Sequence, residues 1–153
     1  MPAMDRIWKP NVTVAAVVER DGRFLVVEEQ TSEGLRLNQP AGHLEPDESL
    51  VDAARRETLE ETAWEFTPEV LVGIYQWPRP SGDLTYLRFA FAGALGRHFA
   101  QRGLDNGIER ALWLSRDELE ACRERHRSPL VMQCVHDYVD GRRYDLALLT
   151  HYD

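Results

Sequence analysis

Between Ser49 and Thr62 the chain carries neither glycine nor proline and is dense in alanine and glutamate, so this stretch reads as a helix. Pro46 and Asp47 suit its entrance, where acidic side chains meet the positive end of the helix dipole. At about 3.6 residues per turn, Glu57, Glu60 and Glu61 share one face and their carboxylates converge. Val51, Thr58 and Thr62 fall on another side, able to face a core and leave the acidic face toward a cleft. Three anions so close repel one another unless something positive sits among them. A solvated acidic face, paired with nearby Lys or Arg, is the commoner reason for such a triple taken alone. The alternative is a hard dication with oxygen ligands, Mg²⁺ or Mn²⁺. Arg56, four residues before Glu60, can orient it by a charged hydrogen bond.

The rest of the 153-residue chain supplies what such a helix would pack against. Val12 to Glu19 is rich in β-branched residues and reads as a buried strand. Asp21-Gly22 signals a turn and Phe24 to Glu28 a second strand, which together predict a hairpin. Asn38 to His43 reads as an extended piece entering a loop. Val70 to Trp77 and Leu84 to Leu95 are further strands, joined by the turn-rich Pro78-Arg79-Pro80-Ser81-Gly82-Asp83. Glu109 to Leu114 is a short strand, and Ser115-Arg116-Asp117-Glu118 a capping box that opens a short helix. Ser128 as N-cap and Pro129 at N1 start a last helix, which reaches about Asp140 and is ended by Gly141. Strands, a central helix, more strands and then helices predict an α/β fold: a mixed β-sheet between helices, an α/β/α sandwich, as one domain over residues 1–153.

Hydrophobic residues at 43% and charged residues at 29% fit a globular chain rather than a disordered one. A net charge of -8 argues against binding the nucleic-acid backbone, yet permits a small anionic ligand in one cleft where a dication and a few arginines reverse the field. Cys122 and Cys134 form no CxxC pair and read as reduced, structural thiols. Met1 to Pro10 lacks the apolar stretch of a secretory leader, and the apolar run Val12 to Val18 is too short to span a bilayer. The expectation is a cytoplasmic protein with no membrane partner, monomeric or homodimeric.

Reading back from the helix gives Gly42, five residues, Glu48, seven residues, then Arg56-Glu57-Thr58-Leu59-Glu60-Glu61-Thr62-Ala63-Trp64. This resembles the signature of the Nudix hydrolase family, with Gly42, Glu48, Arg56, Glu57, Glu60 and Glu61 all in register. Thr58 and Trp64 depart from it, and Ala63 stands where the pattern has a glycine that ends the helix with positive φ. The resemblance implies Mg²⁺ ions, with Mn²⁺ possible in their place, bridging a substrate's diphosphate. It implies Glu57, Glu60 and Glu61 as ligands, with the Gly42 carbonyl beside them and Glu48 paired to Arg56 or acting through water. Glu57 is the first choice of general base and Glu109 the second. Glu109 is otherwise an extra ligand or a plain solvated side chain.

The wider chain is similar to the NudJ-type phosphatases of that family. The similarity runs through Lys9-Pro10, Phe24 to Glu29, Asn38 to Glu45, Gln76-Trp77, Leu87-Arg88-Phe89, Arg127 to Val131 and Arg143-Tyr144. It implies release of orthophosphate from nucleoside tri- and diphosphates or from hydroxymethylpyrimidine pyrophosphate, a thiamine precursor. Two alternatives stay open: a Nudix pyrophosphatase acting on ADP-ribose or a dinucleotide, and a nucleotide-binding module without catalysis. Trp77 either stacks on a base or fills the core rim. Arg88, inside an apolar strand, is a salt-bridge partner or a phosphate clamp. Arg127 could hold an anion at a helix start, where capping by Ser128 is the more ordinary role. Gln39 and His43 flank the site in sequence, Gln39 as a substrate contact and His43 as a hydrogen-bonding loop residue.

Overall fold

The computed structural model describes residues 6–153; the first half of the stretch read above for a leader, residues 1–5, lies outside them. The strands and helices follow in the order β1 (Asn11–Val17), β2 (Glu19–Arg20), β3 (Arg23–Thr31), β4 (Gly34–Asn38), β5 (Ala41–His43) and α1 (Leu50–Thr62). They continue with β6 (Trp64–Pro78), β7 (Thr85–His98), β8 (Ile108–Ser115), α2 (Arg116–Ala121), α3 (Leu130–Val139) and β9 (Tyr144–Asp145).

One sheet has the order β5-β1-β7-β6-β9, with β1 and β7 parallel and the other neighbours antiparallel. In the second, antiparallel sheet, β8 runs along one edge of β3, while β2 and β4 share the other. Side chains alternate across β1 as a strand's period of two demands. Val14, Ala16 and Val18 pack with Ala53 and Ala54 of α1, whereas Ala15 and Val17 pack with Met132, Cys134 and Val135 of α3. Both faces of the mixed sheet are therefore covered by helix, as the element order predicts. Each fully buried Val, Leu or Phe in these two layers stabilises the fold by roughly 1.5–3 kcal/mol.

The predicted hairpin survives only at its tip. Asp21 and Gly22 both take positive φ, at 51° and 76°, the turn that suits paired strands, and only Glu19↔Phe24 and Arg20↔Arg23 pair across it. Beyond the tip the two arms part: β1 enters one sheet and β3 the other. A strand apolar on both faces is satisfied only inside a sheet with partners on both edges, which β5 and β7 supply to β1. β6 also begins earlier than predicted, because its irregular pairing around Pro68 carries the strand past a residue that looks like a strand breaker.

The helix ends follow their local signals. Ser49 caps α1 by accepting from the Asp52 amide, and Ser115 with Glu118 forms the expected capping box on α2. Ser128 Oγ accepts from the Leu130 amide at 3.2 Å, so α3 starts one residue later than the Ser-Pro pair suggests. Ala63 adopts the left-handed exit that a glycine would take freely, with φ 61° and ψ 19°, and its amide donates to the Leu59 carbonyl at 2.9 Å. An alanine there costs about 1–2 kcal/mol, yet the path of the chain out of α1 is kept.

Candidate active site

The entrance of α1 is organised by one arginine. Arg56 donates from Nε and Nη2 to the two Glu48 oxygens at 2.8 and 2.9 Å, and from Nη2 to the His43 carbonyl at 3.0 Å. Its Nη1 reaches Glu57 Oε1 at 2.8 Å and Glu60 Oε2 at 3.2 Å. Glu48 also accepts from the Glu45 amide, and these bonds hold its carboxyl below the usual range, Arg56 being the larger cause. Glu48 and Arg56 thus form a rigid bracket that orients two carboxylates of the helix.

Those carboxylates are held at a cost. Glu57 and Glu61 are only 8% and 6% exposed. Burial pushes the Glu57 carboxyl up to about 7, with Arg56 opposing and Glu60 and Asp105 adding to it. Burial pushes Glu61 up to about 9 despite the Ala41 amide that donates to its Oε1 at 2.9 Å, and Glu57, Glu29 and Asp105 add to the rise. Carboxylate oxygens of Glu57, Glu60 and Asp105 lie within 4.8 Å of one another. Three hard oxygen donors at that spacing, with Arg56 as the cation between two of them, are the donor set a hard dication prefers.

This grouping adds a residue from outside the helix. Glu61 lies beside the three-residue cluster with its Oε1 accepting from the Ala41 amide, and the third donor within 4.8 Å is Asp105. Its loop between β7 and β8 is fastened to the end of α1 by the Asp105 amide donating to the Glu60 carbonyl at 2.8 Å. Nothing local in Leu104-Asp105-Asn106-Gly107 marks Asp105 apart from an ordinary turn residue. Glu109, read as a second base or extra ligand, is exposed on β8, accepts from Gln30 at 3.0 Å and stands outside the cavity wall.

Gly42 lies directly against this cluster. A Cβ added there would fall 2.1–2.4 Å from the Glu57 carboxyl group. Gly42→Ala is therefore expected to displace that carboxylate and lower kcat about 10²-fold, since displacements near 1 Å cost that much. Steady-state kinetics beside a melting curve checks this, and wild-type kcat in a folded variant contradicts it.

A cavity of about 1020 Å³ opens beside the acids, with Gly42, Glu57, Glu61 and Asp105 in its wall. Trp77 and Arg127 line it too, and Trp77 stacks on Tyr86 at 6.0 Å and 17° to make a flat aromatic surface. Arg127 also lies 3.8 Å from Glu29. Arg88, in the same wall, is only 5% exposed. Its Nη1 and Nη2 donate to the amide oxygens of Gln39 and Asn38, both at 2.9 Å. No described carboxylate pairs with it, so the salt-bridge reading of Arg88 falls away. Gln39, expected to touch a substrate, instead sits behind Arg88, with its amide donating to the Val131 carbonyl at 2.8 Å. Its side chain is fully buried and outside the cavity wall, because the strand end carrying it is covered by α3.

A profile of the NUDIX domain matches residues 8–134. The chain belongs to the Nudix hydrolase family. It is a hydrolase of phosphoanhydride bonds. This Nudix hydrolase is 40% identical over 147 residues to Phosphatase NudJ of Escherichia coli strain K12, covering 96% of this chain and 95% of that protein. Among solved structures, a NUDIX hydrolase from Nitrosomonas europaea is 54% identical, with a TM-score of 0.91 over 94% of this chain and 98% of that one. A MutT NUDIX hydrolase from Burkholderia pseudomallei shares the fold at 18% identity, with a TM-score of 0.72 over 85% of this chain and 98% of that one. Among the described residues no helix is long and apolar enough to cross a membrane.

Proposed function

We propose that this Nudix hydrolase is a Mg²⁺-dependent phosphatase that releases orthophosphate from nucleoside tri- and diphosphates or from hydroxymethylpyrimidine pyrophosphate. Its near full-length likeness to a protein named as a phosphatase carries the reading. The acidic cluster opening on a cavity with an aromatic wall supports it. Glu57, Glu60 and Asp105 would hold the ion, with Glu61 and the Gly42 carbonyl beside them; Mn²⁺ fits the same oxygen donors. When bound, the dication polarises the phosphoryl oxygens and offsets the charge of the leaving phosphate.

The other steps belong to the protein. Arg56 and Glu48 fix the carboxylates before substrate arrives, so little reorganisation is needed during the reaction. Glu57 accepts the proton of the attacking water as the new P–O bond forms and the bond to the bridging oxygen breaks. The Trp77–Tyr86 surface receives the base or pyrimidine ring, and Arg127 faces the anionic part of the substrate. Free Cys122 and Cys134 support a reducing, cytoplasmic setting.

The test is a Mg²⁺ assay over nucleoside tri- and diphosphates, sugar nucleotides, dinucleotides and the pyrimidine pyrophosphate, reading orthophosphate and pyrophosphate separately. Orthophosphate from the first group or the last is the expected result. Pyrophosphate, or a nucleoside monophosphate from ADP-ribose, would replace this reading with a pyrophosphatase. In the same assay Trp77→Ala is expected to raise KM about 10-fold with a smaller change in kcat, the scale of one lost ring stack. An unchanged KM for every substrate returns Trp77 to packing.

A further inference from the structure

Arg88 lies on β7 in the row that continues through Ala90 and Ala92 toward α3, where its neighbours are small and apolar. Taking a guanidinium out of water costs several kcal/mol unless a counter-charge answers it. Asp137, the buried carboxylate of α3, is engaged instead by Tyr75, Gln133 and Arg142. Arg88 receives two neutral amide oxygens and a weak contact from Cys134 Sγ at 3.9 Å. Asp and Glu are close in shape to Asn38 and Gln39 and would have answered the charge. Amides hold the guanidinium in place while leaving its positive charge uncancelled, and one side of it forms part of the cavity wall. On the sheet, Arg88 pairs with Thr13, which pairs with His43, next to Gly42 and the Glu57 carboxylate. Two strand spacings, about 10 Å, therefore separate the Arg88 and His43 backbones, so Arg88 addresses a part of the ligand other than the one facing the acidic cluster.

We propose that Asn38, Arg88 and Gln39 form a charge-preserving anion receptor that binds phosphate oxygens of the substrate on the side of the cavity away from the acidic cluster. Arg88 makes the contact, while Asn38 and Gln39 act as positioning residues whose neutrality matters as much as their hydrogen bonds. The inference rests on the phosphoanhydride-hydrolase reading of the cavity, and it adds a second, metal-independent anion contact with a defined electrostatic requirement.

The decisive variant is Asn38→Asp, which keeps the shape and the acceptor but gives Arg88 a counter-ion. It is expected to bind orthophosphate, measured by calorimetry on the Mg²⁺-loaded protein, at least about 10-fold more weakly than the wild type. KM should rise by a similar factor with a smaller change in kcat, while the melting temperature holds or rises. Arg88→Gln should give the same loss of binding, and Asn38→Asp added to Arg88→Gln should change little further. A direct repulsion from the new carboxylate would add to it instead, which would overturn the positioning role. If Asn38→Asp binds orthophosphate and turns over like the wild type, Arg88 is structural and the proposal fails. Should Arg88→Gln not fold, Asn38→Asp alone decides. If the wild type hydrolyses no phosphoanhydride, the functional reading fails, and the orthophosphate comparison still tests the receptor.

Discussion

Glu57→Gln is expected to lower kcat about 10³-fold, a loss of ~4 kcal/mol in transition-state stabilisation, while making the metal-free protein more stable. The two effects share one cause. Glu57 is buried beside Glu60 and Asp105, and its carboxyl has already risen to about 7 because burial disfavours the charge. Glutamine keeps the shape and removes that charge, so the folded state no longer carries a poorly solvated anion. Arg56 retains Glu48 and Glu60 as partners and is not stranded. On the proposed reading, the same substitution removes a ligand oxygen for the metal and the acceptor of the water's proton, both needed during turnover. Kinetics with Mg²⁺ and melting curves in EDTA read the two arms separately. Wild-type kcat would sink the assignment of Glu57 as ligand and base, and an unchanged melting temperature would show its carboxylate to be solvated after all.

Without metal, the melting temperature is expected to fall by roughly 5–10 °C between pH 6.5 and 9.5, and millimolar Mg²⁺ should remove most of that fall. In the unfolded chain both Glu57 and Glu61 ionise near the ordinary 4.5, whereas in the fold they do so near 7 and 9. Across this window the folded state holds more protons than the unfolded one, so stability is lost as pH rises through the two folded values. Groups of the opposite kind act elsewhere. Glu28, bonded to Arg110 and Arg125, and Glu48, bonded to Arg56, are lowered and contribute stability that disappears only in acid. His126, lowered by burial, acts in the opposite sense, because the unfolded state holds its proton more readily than the fold does. At about 2–4 °C per kcal/mol for a chain of this size, a few kcal/mol of uncompensated burial gives the stated range. A bound dication would supply the counter-charge and offset most of that loss. A flat profile in EDTA would mean the acids are solvated, and a fall that Mg²⁺ leaves untouched would mean no ion binds among them.

The sequence by itself determined much of what depends on neighbours within a turn or two. Helical spacing placed Arg56 against Glu60, four residues on, and the capping box at Ser115 set where α2 begins. The β-branched content of Val12 to Glu19 marked a buried strand. Even the motif's missing glycine misled little, since Ala63 accepts the left-handed exit for a modest cost.

Only the tertiary structure decided the pairings between distant segments. Asp105 reaches Glu57 because a loop after β7 is tied to the last turn of α1, while Glu109, a similar acid four residues later, points to solvent from β8. Glu61 accepts from the Ala41 amide, a partner twenty residues back. Arg88 and Asn38 meet across fifty residues, and Gln39 joins them from behind through Val131. The physical reason is the same in each case. A helix or turn settles geometry through bonds a few residues long, whereas the partner of a buried charge is chosen by how the two sheets and their helices close around it.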